Sequence, residues 1–446
     1  MLDAPLINLY HPDDILAWDS KGPRTVREFV SDVSRLADAL PDCPALLNLL
    51  SNRYEFLVGF GAAMLKHQVT LLPQSRAPET LCLVAKDYED SYCLTNPGES
   101  IEGLDCVMLP LQTGTAERRG KIPRIPLNQV VAIAFTSGST GKPMPNHKTW
   151  GALVSVAHAT ASRFGVKAGN LNGVVATVPH QHMFGLEASV ILPIQHGLVM
   201  HAGRPLFPED VRTALEEMPG KSIVVTTPLH LRACVSADVK FPSLEMILSA
   251  TSPLTRDLAR QAEQRFLAPV QEIFGFAEAG SVASRRTIET DDWRPLDGIV
   301  LAGQGAEWTI QADYLPSPAR FPDRISVQDD GTFRVLGRAE DQVNIAGHRV
   351  SLGDLNQTLL ELDGVNDGAF FLPDAEDRSV TRLMAFVVAP GKTTKDIHIG
   401  LQKRIDPVFL PRPLFLVPRL PRNETGKLPL EALCKLAEDC LEGGSG

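Results

Sequence analysis

Phe135-Thr136-Ser137-Gly138-Ser139-Thr140-Gly141-Lys142-Pro143 is the stretch on which the reading of this chain turns. It follows an apolar run with strand character, residues 130–135, and precedes a run with helix character from about Lys148. Four hydroxyl side chains and two glycines fill positions 136–141. Glycine lets a backbone approach an anion closely, and successive amide N–H groups form a nest for phosphate oxygens. Serine and threonine add neutral donors that rotate to suit the ligand. The loop therefore reads as a phosphate cradle, and such a cradle points to a nucleotide. It is not a Walker loop, because Pro143 rather than a hydroxyl residue follows Lys142, and it is not the dinucleotide G-x-G-x-x-G. Taken alone, a Ser/Thr/Gly cluster between periodic segments is as readily an ordinary loop.

Working outward, 446 residues give room for two or three domains. Hydrophobic content of 44% and charged content of 22% fit a soluble globular protein. A net charge of −10 argues against general nucleic-acid binding. No apolar run reaches the length of a membrane span, and the opening residues lack the basic stretch of a signal peptide. Seven scattered cysteines without a C-x-x-C pair predict reduced thiols and a cytoplasmic protein, with neither zinc site nor disulfide framework. Residues 443–446 read as a flexible tail.

Strand-like runs alternate with helix-like ones: 45–50 with 54–65, 69–72 with 78–86, 173–178 with 186–194, 222–226 with 228–234, and 246–248 with 255–266. This alternation predicts an α/β protein with parallel or mixed sheets covered by helices. The texture changes after about Tyr314. A turn, strand and turn at 331–338 precede a strand at 341–345, a helix near 352–362, a strand at 383–388 and a final helix at 430–441. These predict a large N-terminal domain, 1–339, and a small mobile α+β domain, 340–442, with the linker near 337–341.

Three further motifs accompany the loop. They are Ile273-Phe274-Gly275-Phe276-Ala277-Glu278-Ala279-Gly280-Ser281; Leu336-Gly337-Arg338-Ala339-Glu340-Asp341, running on to Gly347-His348-Arg349; and Leu420-Pro421-Arg422-Asn423-Glu424-Thr425-Gly426-Lys427-Leu428. In this order and spacing the four resemble the acyl-adenylate-forming (AMP-binding) superfamily of acyl- and aryl-CoA synthetases, peptide-synthetase adenylation domains and luciferases. The resemblance runs from about Thr25 onward. It implies that a carboxylate attacks the α-phosphate of ATP to give an acyl-adenylate, and that a thiol then displaces AMP.

The resemblance also implies roles. Thr136, Ser137, Gly138, Ser139, Thr140, Gly141 and Lys142 would cradle the phosphates of ATP. Glu278 would bind Mg²⁺, a hard cation taking few protein ligands. Asp323 would bond the ribose hydroxyls, and Arg338 would lie near ribose and phosphate. Phe274, Gly275, Ala250 and Thr251 would meet the nucleotide. His182, Phe184, Gly185 and Ser249 would line the acid pocket. Lys427 would be the catalytic lysine and Glu340 the hinge about which the small domain swings. Each residue also has a plain reading: Glu278 and Lys427 as solvated charges, Asp323 as a turn residue after Pro322, His182 as a structural histidine.

The chain departs from the family pattern at several places. Met144 stands where the family has a phosphate-loop lysine, Ala277 replaces a threonine, and Asn344 a frequent lysine. Ala250 and Thr251 replace glycines, which narrows the pocket toward a small or flat acid. The segment Lys142-Pro143-Met144-Pro145-Asn146-His147-Lys148-Thr149-Trp150, with a compact N-terminal region, resembles the small AMP-ligases of aryl-polyene clusters, which load aromatic acids onto an acyl carrier protein. Lys403, Arg404, Arg412, Arg419 and Arg422 would make the C-terminal part locally basic, suiting an acidic carrier protein or the phosphates of CoA. The expected enzyme is an AMP-forming ligase of a small aromatic or medium acyl acid, monomeric or homodimeric. Carrier protein is the expected thiol acceptor and CoA the alternative. The reading from another class is a weak nucleotide- or carrier-binding scaffold.

Overall fold

The structure is a computed structural model that describes residues 2–8, 11–19, 21–88, 90–109, 121–137, 143–166, 173–305, 307–338, 342–345, 348–373, 383–423 and 426–443. Two sheets organise its first part. The smaller one runs, edge to edge, Pro143–Thr149, Val130–Ser137, Val69–Leu72, Ala45–Asn48, Tyr92–Thr95 and Cys106–Met108. All its neighbours are parallel except the first pair, which is an antiparallel hairpin. The larger sheet runs Arg294–Pro295, Gly280–Arg285, Val270–Phe276, Met246–Ser249, Ser222–Thr226, Gly173–Ala176, Val199–His201, Ile15–Asp19 and Gly22–Thr25. Its centre is parallel and each edge closes in an antiparallel pair. The α/β class read from the alternation is the class observed.

A layer of helices fills the space between the sheets. Val26–Ala39 starts on Thr25, whose side chain accepts from the Glu28 amide while Glu28 caps back onto the Thr25 backbone. Arg53–Leu65 is apolar almost all round, and every residue from Phe56 to Met64 is buried, as a helix between two sheets requires. These helices share one core with Trp150, Leu186 and Met200. Among the described residues no helix is long and apolar enough to cross a membrane.

One expected boundary shifts. Helix does not begin near Lys148. Pro143–Thr149 is a strand, and the helix Trp150–Phe164 starts after it, capped by the Thr149 hydroxyl on the Ala152 amide at 3.1 Å. Two prolines conceal that strand in the sequence. They are tolerated because it is the sheet's edge, where a missing N–H can face outward. The run expected as a helix at 186–194 is likewise broken into Met183–Leu186, a π-helical turn Glu187–Ile191, and Leu192–His196.

Beyond residue 300 the sheets are small. The hairpin Asp323–Val327/Phe333–Arg338 packs on an aromatic cluster of Phe274, Trp293, Phe321 and Phe333. The last part carries a sheet of Asp367–Phe371, Met384–Val388 and Leu414–Leu416. Leu352–Leu360 and Thr394–Gln402 pack against this sheet in one cluster, and Leu430–Gly443 in another.

Candidate active site

The phosphate loop joins the two strands of an antiparallel hairpin. Thr136 stands opposite Met144 and Ser137 opposite Pro143. The Thr136 hydroxyl accepts from Asn146 Nδ2 at 3.4 Å. Gly138, Ser139, Thr140, Gly141 and Lys142 lie outside the described residues. The Met144 side chain is exposed at 55%.

The second motif forms the turn between Val270–Phe276 and Gly280–Arg285, and Glu278 is exposed on it. Its backbone is gripped from three directions. Lys148 Nζ donates to the Glu278 carbonyl at 2.9 Å. The Tyr314 hydroxyl donates to the Ala279 carbonyl at 3.3 Å. Glu187 Oε2 accepts from both the amide and the hydroxyl of Ser281, at 3.0 and 2.6 Å. Gly280 has φ +80, and a Cβ there would meet Glu187 Oε1 at 2.5 Å, so both its conformation and its contact need glycine. Burial lowers the pKa of Lys148 and raises that of Glu187, and their mutual attraction opposes both shifts.

The third group gathers at the C-terminal ends of the parallel strands, where open α/β sheets bind ligands. Thr177 and Thr226 share a hydroxyl–hydroxyl hydrogen bond of 2.9 Å. Ser249 is wholly buried, and its hydroxyl has no protein partner among the described residues. Ala250 is buried in the core beside Leu248 and Ile273. Thr251 has φ +80, a conformation that a β-branched residue holds only under strain. His182 and Phe184 are half-buried at the start of the short helix Met183–Leu186. Gly185 is buried, and a Cβ on it would fall 1.9 Å from the Pro179 carbonyl. Close packing of backbone therefore explains this glycine. The neighbouring His180 is the structural histidine: its Nε2 meets the Leu50 carbonyl at 2.9 Å, and burial with the Arg53 cation holds its pKa well below the usual value.

The remaining sequence candidates fall as follows. Asp323 and Arg338 stand opposite each other in the backbone register of their hairpin. Phe274 is half-buried, stacked on Phe321 at 5.5 Å, and Gly275 sits at a bulge in its strand pair. Lys427 is exposed on a tight turn: Asn423 Oδ1 accepts from the Lys427 amide at 2.9 Å, and the Asn423 amide donates to the Lys427 carbonyl at 2.8 Å. Arg422 anchors this turn, forking onto Asp367 at 2.7 and 2.8 Å and donating to the Gly426 carbonyl at 2.9 Å. A Cβ on Gly426 would lie 3.8 Å from Thr227 Oγ1, which brings the lysine turn to the ends of the parallel strands. Glu340 lies outside the described residues. The expected basic face is smaller than the sequence implies, because Arg422 is bound to Asp367 and Arg404 lies 3.5 Å from Glu361.

Sequence reading passed over three buried charges. Arg53 is 1% exposed and makes five hydrogen bonds, to Ser189 Oγ and to the carbonyls of Ala176, Val178, His201 and Gly203. It ties together the loops that follow two parallel strands. Desolvation and the nearby Arg204 weaken its hold on the proton, taking its pKa down to about 9. Glu187 and Lys148 are the other two. Their signal was available: Glu187 interrupts the apolar run Met183-Phe184-Gly185-Leu186-Glu187-Ala188-Ser189-Val190-Ile191, and Lys148 lies four residues past Met144.

Comparison with known proteins adds the family. The model of the AMP-binding enzyme family matches residues 10–311. A 4-coumarate–CoA ligase of Halorhodospira halophila is 28% identical over 304 residues, covering 66% of this chain and 73% of that protein. An acetyl-coenzyme A synthetase of Mycobacterium tuberculosis is 32% identical over 382 residues, covering 69% of this chain and 57% of that protein. The fold matches that of o-succinylbenzoate CoA synthetase from Bacillus subtilis in complex with its acyl-adenylate intermediate. There the TM-score is 0.81 at 16% identity, over 96% of this chain and 97% of that one. The same enzyme has been solved with ATP and magnesium ion. Motifs, fold and family match agree: this chain belongs to the AMP-binding enzyme family, and is an adenylate-forming enzyme of the acid–thiol ligase kind.

Proposed function

We propose that the chain activates a small aromatic or medium acyl acid with ATP and passes the acyl group to the phosphopantetheine thiol of an acyl carrier protein. A carboxylate oxygen attacks the α-phosphorus, the bond to the bridging oxygen breaks, and pyrophosphate leaves. The thiol sulfur then attacks the acyl carbonyl carbon and AMP departs with the bonding pair, the thiol proton passing to solvent. The observation that best supports this reading is the approach of the Lys427 turn to Thr227, at the strand ends that also carry Ser249 and Thr251. There Lys427 would offset charge growing on the α-phosphate. Thr136 and the loop after it would hold the outer phosphates. Asp323 and Arg338 would hold the ribose.

The residues present suit Mg²⁺. Among the described residues no three His, Cys, Asp or Glu side chains gather into a nest for a metal. The exposed Glu278 carboxylate would hold the cation, as an oxygen ligand of the hard kind that Mg²⁺ takes. Mg²⁺ would spread the charge of the departing pyrophosphate. Ala250, packed into the core, and Thr251 support a pocket for a flat acid, and 4-coumarate and o-succinylbenzoate in the relatives' names point to the same class. The relatives' names also favour a second acceptor, CoA. In the same reading, residues from about 340 form a lid that turns on Glu340.

Acid-dependent pyrophosphate exchange across a panel of aromatic and aliphatic acids tests the first step. Lys427→Ala should lower exchange at least a hundredfold while ATP binding persists, and undiminished exchange in that variant overturns the assignment of Lys427. Transfer of the best acid to holo-carrier protein against free CoA then separates the two acceptors. No exchange with any acid, alongside intact ATP binding, favours the scaffold reading.

A further inference from the structure

The exposed Met144 leaves the family's lysine position without a cation, yet a buried cation stands four residues further along the same strand. We propose that Lys148 and Glu187 are positioning residues for Glu278. From beneath the site they lock the backbone of the 277–281 turn, so that the Glu278 carboxylate meets a nucleotide-bound divalent cation in one orientation. This rests on the reading of the site as one that binds MgATP.

Lys148 is 4% exposed and Glu187 is 5% exposed. One takes the Glu278 carbonyl, and the other takes the Ser281 amide and hydroxyl while lying over Gly280. Thus two side chains of opposite charge, from different elements, hold the two arms of one short turn. Tyr314 closes it at the Ala279 carbonyl. Such a pair is a poor device for stability. Desolvating an ammonium and a carboxylate costs more than a pair without direct contact regains, and apolar residues of the same volume would pack as well. A carbonyl on a turn can also be satisfied by water. What the charges provide is direction: they fix where the turn's backbone points, and with it the exposed carboxylate. Lys148 is the next-to-last residue of the strand Pro143–Thr149.

The test uses the full chain with Lys148→Gln and with the double change Lys148→Met/Glu187→Gln. The double change removes both charges, so neither is left buried alone. Thermal unfolding identifies the folded variants. Calorimetry then measures affinity for ATP with Mg²⁺ and with chelator, and exchange is followed against free Mg²⁺. In the folded variants, affinity for metal-free ATP should stay within twofold of the parent. The gain in affinity on adding Mg²⁺ should fall about tenfold, and the half-saturating Mg²⁺ for exchange should rise about tenfold. An unchanged Mg²⁺ dependence in a folded variant overturns the proposal alone. A parent chain that neither binds ATP nor supports exchange overturns the ligase reading, and this proposal with it.

Discussion

Thr251 is the residue at which local conformation meets the shape of the proposed pocket. A threonine at φ +80 stores strain on the order of 1–3 kcal/mol. Glycine would relax it and remove a side chain from the site. Thr251→Gly should therefore raise unfolding free energy by about 1 kcal/mol in urea titrations and let bulkier acids support exchange. A loss of stability would count against the strain. Arg53 works in the opposite sense. Its five acceptors include four backbone carbonyls, each of which would lose that bond without it. Arg53→Met should cost roughly 3–5 kcal/mol, read by the same titration. Arg53→Lys should recover only part, because an ammonium cannot fork across so many acceptors.

At the level of elements, the lysine turn depends on a strand remote from it in sequence. Asp367 holds Arg422, and Arg422 holds the Gly426 carbonyl. Asp367→Asn should loosen the turn, lowering the exchange rate about tenfold while the dissociation constant for ATP stays level. An equal loss in both quantities would show that Asp367 supports the fold alone. The alternating strands and helices of the two large sheets were legible because a buried parallel strand is a short apolar run bounded by turns, as at Ser222–Thr226 and Met246–Ser249. The strand Pro143–Thr149 was not, since proline and polar residues give an edge no apolar signature. Nor was the π-helical turn, whose irregular bonding leaves no periodic mark. The four motifs pointed to the candidate site through family resemblance, but the contacts of the charges beneath it emerge only when distant elements pack.

On the scale of the whole molecule, buried and half-buried histidines set a limit toward acid. Burial, with the charge of Arg204, takes His230 down to about 4, and burial beside His158 takes His196 to about 4. His180 is also pushed well down. Folding thus favours their neutral forms, while the unfolded chain binds protons from near pH 6.5. Their contribution to stability is complete above that pH and is lost as pH falls toward 4. Between pH 7 and 5, His230 alone should account for roughly 1–2 kcal/mol of lost stability. Denaturant titrations at both pH values, repeated with His230→Asn, should show a shallower decline in the variant. The two prolines beside the phosphate loop carry a consequence for molecules in a crowd. Without amide donors at Pro143 and Pro145 this edge is a poor template for a strand from a neighbour, which discourages copies of the protein from pairing along it.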